Sequence, residues 1–148
     1  MSNPANPAPG SAQEWMAHAR SDLKYARLGE ANPDILPNQV AFHAQQAAEK
    51  ALKAALVHHG IQFPKTHDVT DLILRWTKAG ANWPADLADA KTLNPYAFET
   101  RYPGYVHQVS LLEVRAAIEV AEKVVVWAET ILKPLPPAAL VAESGTSK

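Results

Sequence analysis

A stripe of polar side chains within an alanine-rich segment restricts the structure that this chain can form. The stripe recurs at intervals of four, three, four and three residues, at Gln39, His43, Gln46, Lys50 and Lys53. This spacing places its members on one face of an α-helix, because positions three or four residues apart are neighbours on a helix surface. Apolar residues fill the adjacent face, at Ala41, Ala44, Ala48, Ala51, Leu52, Ala55 and Leu56. The sequence therefore predicts an amphipathic helix over residues 38–59 that stops at glycine 60.

Signals for four more helices flank this segment, each opened by a capping residue or a proline. The predicted helices cover residues 11–30, 69–79, 84–93 and 110–133. The last one begins with Ser110 and Glu113 at the spacing of a capping box. Residues 94–109 are expected to be an irregular loop, because Pro95, Pro103 and Gly104 interrupt a helix. No strand pattern occurs, so the prediction is an all-α fold, an up-and-down four-helix bundle with an additional short helix.

Composition limits the domain organisation and the location. The 148 residues, 47% of them hydrophobic, suit one domain with a real core. The proline-rich ends at residues 1–10 and 134–148 are expected to be disordered tails around a helical domain at residues 11–133. The sequence shows no signal-peptide pattern and no apolar run of about 18 residues, so a cytoplasmic protein without a membrane partner is expected.

The composition also excludes several kinds of site. The chain has no cysteine, which excludes disulfides, thiolate zinc sites and a cysteine nucleophile. No metal-ligand pattern and no glycine-rich phosphate loop stands out, and neither a metal nor a cofactor is expected. The net charge of -1 argues against coating of nucleic acid by bulk electrostatics, so RNA binding would need a local site.

The last predicted helix is too apolar for a single buried face. Two apolar seams run along it at three- and four-residue spacing. The first contains Leu111, Val114, Ile118, Ala121, Val125, Ala128 and Leu132, and the second contains Ala117, Val120, Val124, Trp127 and Ile131. One seam can close the bundle, and the other needs cover from the short helices of the same chain or from a second copy. A homodimer paired partly through this helix is expected.

Three separated segments together resemble one protein family. They are FHAQQAAEKALKAAL, KTHDVTDL and NPYAFETRYPG, at residues 42–56, 65–72 and 94–104. Their content and order resemble the small helical HEPN family, and the similarity covers about residues 12–133. The Arg-Tyr-Pro sequence is similar to the branch of that family found beside minimal nucleotidyltransferases. The resemblance implies pairing of two copies and a two-gene toxin and antitoxin module, with a minimal nucleotidyltransferase as partner and this chain as the RNA-cleaving toxin.

The resemblance also implies catalytic candidates. The ribonuclease branches of the HEPN family carry an arginine followed closely by a histidine, and Arg101 and His107 match with five residues between them. Metal-independent RNA cleavage needs a base for the 2′-hydroxyl proton and a cation for the scissile phosphate, roles that histidine and arginine fill. In such an endoribonuclease His107 is the acid/base group and Arg101 the phosphate clamp. Alternatively, Arg101 pairs with an acid such as Asp22, and His107 is an exposed loop residue.

Candidates for binding a nucleotide or RNA lie in the polar stripe and in the loop. They are His43, Gln46, Lys50, Lys53 and Tyr102. Side chains of these types contact phosphates and stack on bases. The alternative is that the stripe is the ordinary solvated face of an amphipathic helix.

Two other polar residues carry expectations. Asp22 lies on the apolar side of the first helix, where an unpaired carboxylate is costly, so it is expected to have an ion-pair partner. His67 is expected either to take part in capping the next helix or to belong to a site. For the whole chain, the alternative to an enzyme is a non-catalytic HEPN bundle that binds a nucleotide or scaffolds a partner.

Overall fold

Four α-helices and one 3₁₀ segment make up the part of the chain that the computed structural model describes, residues 6–98, 103–104 and 108–134. In chain order they are α1 (Ala12–Glu30), α2 (Pro37–His58), α3 (Val69–Lys78), the 3₁₀ segment (Ala85–Ala97) and α4 (Leu111–Leu132). No strand occurs among these residues, and the predicted all-α helical bundle is confirmed. None of the described helices is both long and apolar enough to cross a membrane. Residues 1–5 and 135–148 of the predicted tails lie outside the described part of the chain.

Local contacts set the helix ends close to where the sequence placed them. The hydroxyl of Ser11 accepts a hydrogen bond from the backbone N–H of Glu14 at the start of α1. Ser110 and Glu113 form both halves of the capping box that starts α4. Gly60 follows α2 with a φ of 69°, in the left-handed region that a glycine adopts without steric cost. These ends depend on local chemistry, which is why the sequence alone predicts them.

The centre of the bundle is formed by α1, α2 and α4. Ion pairs join Arg20 to Glu129 at 3.0 Å and Arg27 to Glu122 at 2.6 Å, so α1 and α4 run antiparallel. Small side chains of α2 fill the space between these helices. The buried alanines of α2 are Ala41, Ala44, Ala47, Ala48, Ala51, Ala54 and Ala55. The remaining elements, α3 and the 3₁₀ segment, pack on α2.

Part of the second apolar seam of α4 is covered by the same chain. The ring of Trp127 lies 5.0 Å from that of Trp76 in α3 and 4.9 Å from that of Trp83, which precedes the 3₁₀ segment. Both pairs meet edge to face, an arrangement that aromatic rings favour. Leu111, which the sequence assigned to the first seam, is instead exposed as the first residue of α4. Covering Trp127 therefore does not require a second copy.

The 3₁₀ segment extends to Ala97, so the prediction of an irregular loop from residue 94 onward was wrong for residues 94–97. The side chain of Asn94 holds this part of the segment against the start of α3. Asn94 Oδ1 accepts from the backbone N–H of Val69 at 2.8 Å, and Asn94 Nδ2 donates to Asp68 Oδ1 at 2.9 Å. These tertiary contacts anchor the residue that precedes Pro95.

Candidate functional site

The polar stripe of α2 is largely covered by other parts of the chain. Lys53 is 5% exposed and Gln46 is 8% exposed, whereas a ligand groove and a solvated face both require accessible side chains. The expectation that these two side chains are accessible was wrong, because α1 and the link between α2 and α3 lie across this part of the helix. The Lys53 ammonium lies 5.2 Å from the ring centre of Trp15 in α1 and 5.8 Å from that of Phe63 in the link. The stripe therefore divides into a part near the surface and a buried part.

The part near the surface is the α1–α2 cluster, formed by Asp22, Tyr25, His43 and Lys50. Asp22 Oδ1 lies 3.1 Å from His43 Nδ1, and Asp22 Oδ2 lies 2.6 Å from Lys50 Nζ. The expectation that Asp22 needs an ion-pair partner is confirmed, and both partners come from α2. The ring of Tyr25, a residue that is 60% exposed, lies 4.6 Å from the His43 ring. The cluster thus presents an aromatic ring beside an imidazole and a cation whose charge Asp22 already balances.

The buried part is a network of four side chains from α2, Gln45, Gln46, Glu49 and Lys53. Glu49 Oε2 accepts from Lys53 Nζ at 2.9 Å, and Glu49 Oε1 accepts from Gln45 Nε2 at 3.2 Å. Gln46 Nε2 donates to Gln45 Oε1 at 2.7 Å. A buried ion pair is tolerated only where its remaining polar atoms are hydrogen-bonded, and the two glutamines help to meet that requirement.

The buried network also holds the end of the link between α2 and α3. Lys53 Nζ donates to the backbone carbonyl of Thr66 at 2.7 Å, and Gln45 Nε2 donates to the backbone carbonyl of His67 at 3.1 Å. The His67 ring itself reaches the network, with Nδ1 2.9 Å from Glu49 Oε1. The position of this histidine is therefore fixed by its side chain and by its backbone.

His67 nevertheless remains accessible, with 51% of its side chain exposed. Its Nδ1 faces a carboxylate, so Nδ1 carries the proton of that hydrogen bond and Nε2 is the other ring nitrogen. Nε2 has no hydrogen-bond partner within the described part of the chain. Phe98 lies against the ring, with the two ring centres 5.4 Å apart. The side chain that caps α3 is that of Asp68.

Comparisons with known proteins agree with the three-segment resemblance. The model of the HEPN domain matches residues 12–131 of the chain. The chain belongs to the HEPN family. Among solved structures, this HEPN protein is similar to an archaeal HEPN homologue with 25% sequence identity and a TM-score of 0.67. The similarity covers 83% of this chain and 98% of that chain. No curated protein matches this HEPN protein significantly.

In this HEPN protein the catalytic candidates Arg101 and His107 and the binding candidate Tyr102 lie outside the described residues. Two residues that flank this segment contact each other, since Tyr96 Oη donates to Glu113 Oε2 at 3.0 Å. Burial, and then the hydrogen bond and negative charge of Glu113, raise the pKa of Tyr96 to about 12. Residues 96 and 113 therefore meet, one on each side of the segment that contains these candidates.

The sequence did not reveal the role of Glu49, which lies at the centre of the buried network of this HEPN protein. The available signal was the spacing of four residues between Glu49 and Lys53. That spacing is also typical of exposed helix ion pairs, so it does not by itself identify a buried one. Within the described ranges no group of three potential metal ligands occurs.

Proposed function

We propose that this HEPN protein is a metal-independent endoribonuclease, the RNA-cleaving component of a two-gene toxin and antitoxin module with a minimal nucleotidyltransferase. One observation carries the proposal: the contact of Tyr96 with Glu113 closes the connection whose sequence contains Arg101 and His107. A short closed connection limits the separation of the residues within it, as a two-residue catalytic set requires. Family membership supports the same function, because HEPN ribonucleases carry this arginine and histidine pattern.

The proposed reaction uses the RNA's own 2′-hydroxyl. A base removes the hydroxyl proton, the 2′-oxygen attacks the adjacent phosphorus, and the bond from phosphorus to the 5′-oxygen breaks. The 5′-oxygen then takes up a proton, which gives a 2′,3′-cyclic phosphate and a 5′-hydroxyl. His107 takes the role of proton-transfer group, and the Arg101 guanidinium holds the phosphate oxygens as negative charge builds on them.

A homodimer belongs to this proposal. Leu112 is 79% exposed and Val126 is also exposed, and both lie on the outer face of α4. The separation of 14 residues keeps them on the same side of a helix, since two heptads return to nearly the same direction. Exposed apolar residues on one face favour pairing with a second copy.

The test is cleavage of a mixed-sequence RNA in the presence of EDTA, followed by identification of the product ends. His107→Ala is expected to lower the rate about 100-fold or more. Arg101→Ala removes a phosphate contact worth about 3 kcal/mol in the transition state, which is also roughly 100-fold. The matched control is His18→Ala on the exposed face of α1, which should cleave as the wild type does. Circular dichroism verifies that each variant is folded. A wild-type protein that cleaves no RNA, or a normal cleavage rate in His107→Ala, would refute the proposed ribonuclease activity.

One observation favours a second candidate, a non-catalytic module that binds a nucleotide. In the α1–α2 cluster the exposed ring of Tyr25 lies beside His43 and near Lys50, which suits stacking on a base next to a phosphate. Under this alternative His43 and Lys50 contact the ligand, whereas Gln46 and Lys53 support the helix from inside. Binding of ATP that weakens in Lys50→Gln, without any RNA cleavage by the wild type, would favour this module.

A further inference from the structure

His67 and Phe98 form an exposed aromatic corner between the end of the link and the end of the 3₁₀ segment. The side chain of His67 is 51% exposed, and Phe98 is 52% exposed. Their ring centres lie 5.4 Å apart, and their planes meet at 74°. A flat ligand cannot stack on both rings at once, so one ring is available to its face and the other to its edge.

Hydrogen bonds between neighbouring residues hold the two sides of the aromatic corner together. The side chain of Asn94, four residues before Phe98, donates to Asp68 Oδ1 at 2.9 Å and accepts from the backbone N–H of Val69 at 2.8 Å. Asp68 directly follows His67 in the chain. The corner is thus formed before any ligand arrives, which lowers the entropy cost of binding.

Buried groups fix the orientation of the His67 ring. Glu49 Oε1 lies 2.9 Å from Nδ1, and Gln45 holds the backbone carbonyl of the same histidine. Glu49 also forms a buried ion pair with Lys53, and burying these charges costs free energy that a purely apolar core would not. Because Nδ1 is engaged, Nε2 is the ring nitrogen that can contact a ligand. Ligand sites are supported in this way, by hydrogen bonds behind the group that makes the contact.

The Tyr25 and His43 pair of the α1–α2 cluster is less open by comparison. Its two ring planes differ by only 32° with the ring centres 4.6 Å apart, so each ring largely covers one face of the other. The side chain of His43 is 29% exposed. The aromatic corner is therefore the more accessible of these two histidine sites.

We propose that the aromatic corner binds one unpaired base of single-stranded RNA, with Phe98 stacked on the base and His67 Nε2 hydrogen-bonded to its edge. This inference rests on the proposed function, which makes RNA the substrate. Every base has a π-face and a polar edge, and the corner offers a partner for each. Bases within a duplex are already stacked and paired, so the corner selects single strands.

A cation for the phosphate beside such a base is present in the same link. Lys65 is exposed and precedes His67 by two residues. Two residues of extended chain span about 7 Å at most, so the long side chain of Lys65 starts close to the aromatic corner. Phosphate contacts of this kind supply much of the affinity for a nucleic acid and do not depend on its sequence.

The test measures binding of a short single-stranded RNA of mixed sequence that carries fluorescein and a 2′-O-methyl group on every ribose. This probe has no 2′-hydroxyl, so the proposed reaction cannot cleave it, and fluorescence anisotropy reports its Kd. Phe98→Leu removes the ring and keeps an apolar side chain, whereas Phe98→Tyr keeps the ring. In His67→Asn the amide can still donate to Glu49 in place of Nδ1, but no nitrogen remains at the place of Nε2. His18→Asn is the exposed control, and circular dichroism verifies that each variant is folded.

Phe98→Leu is expected to raise Kd about 5-fold or more, because one base stack is lost. His67→Asn is expected to raise it about 3-fold or more, because one hydrogen bond is lost. Phe98→Tyr and His18→Asn should bind the probe as the wild type does, and the wild type should bind the duplex form of the probe more weakly. Normal binding by Phe98→Leu, an equal loss in Phe98→Leu and Phe98→Tyr, or equal affinity for the duplex would overturn the inference.

Binding of this probe and cleavage in EDTA are separate measurements, so the two proposals can fail separately. A wild type that cleaves RNA, with normal probe binding in Phe98→Leu and His67→Asn, would refute the aromatic corner and support the ribonuclease. A wild type that binds the probe through these two residues but cleaves no RNA would refute the ribonuclease and support the corner as an RNA-binding site. A wild type that does not bind the probe would overturn the inference.

Discussion

Replacing Lys53 by methionine removes one charge of a buried pair and keeps the length of the side chain. The ammonium that is lost lies 2.9 Å from Glu49 Oε2 and 2.7 Å from the carbonyl of Thr66. After the substitution the carbonyl lacks this donor, and the Glu49 carboxylate lacks its cation. Exposed lysines, by contrast, contribute little to folding.

The magnitude follows from what Glu49 retains. Removing one partner of a buried ion pair typically costs 3–5 kcal/mol, roughly, because the other charge stays buried without compensation. Glu49 keeps Gln45 and His67 as hydrogen-bond partners, which favours the lower end of the range. We expect a loss of about 3 kcal/mol in the free energy of unfolding, which for a domain of this size lowers Tm by roughly 10 °C.

The assay is urea unfolding followed by circular dichroism at helix wavelengths, since Trp15 lies next to the substituted side chain and would distort a fluorescence signal. Lys50→Met is the matched control: its partner Asp22 is less buried and keeps His43, so a loss of about 1 kcal/mol is expected. Glu49→Gln combined with Lys53→Met should cost at least about 2 kcal/mol less than the sum of the single changes. Additive single effects, or a loss below about 1 kcal/mol in Lys53→Met, would refute the buried-pair reasoning.

Two further predictions concern Tyr96 and the assembly. Because the pKa of Tyr96 rises from 10.0 to about 12 on folding, its contribution to stability is complete below pH 10 and is lost as the pH rises toward 12. Urea unfolding across that range should show a decrease in the free energy of unfolding that is smaller in Tyr96→Phe than in the wild type. An identical decrease in both proteins would contradict the raised pKa of Tyr96. Light scattering at micromolar concentration should give twice the chain mass of 16.1 kDa, and Leu112→Glu should shift the mass to that of a monomer. A monomeric wild type would exclude the homodimer.

The helices were predictable because their signals are local. Capping side chains such as Ser11 and Ser110 bond to backbone groups within three residues, so they can be identified in the sequence without knowledge of the fold. The three-residue and four-residue spacing of apolar positions likewise reports helix faces directly. The requirement for a partner to Asp22 followed from desolvation alone, although the identity of the partners did not.

The covered stripe and the role of Asn94 were not predictable in the same way. Helical periodicity shows that Lys53 and Gln46 share a face, but what covers that face depends on the path of the link to α3. The contacts of Asn94 join it to residues 25 and 26 positions earlier, a pairing that no local pattern encodes. Glu49 was missed for a related reason, since its i,i+4 relation to Lys53 is the same in a buried pair and an exposed one.

The hydrogen bonds from side chains of α2 to the link between α2 and α3 affect which substitutions the protein tolerates. Lys53 and Gln45 recognise carbonyl oxygens of the link, and every amino acid supplies such an oxygen. Substitution of Thr66 therefore leaves the acceptor for Lys53 in place as long as the backbone keeps its path. The helix must supply specific side chains, whereas position 66 needs only its main chain for this contact; its hydroxyl accepts separately from the backbone N–H of Asp68 at 3.1 Å. Mutational drift is thus freer at position 66 than at the α2 positions that hold it.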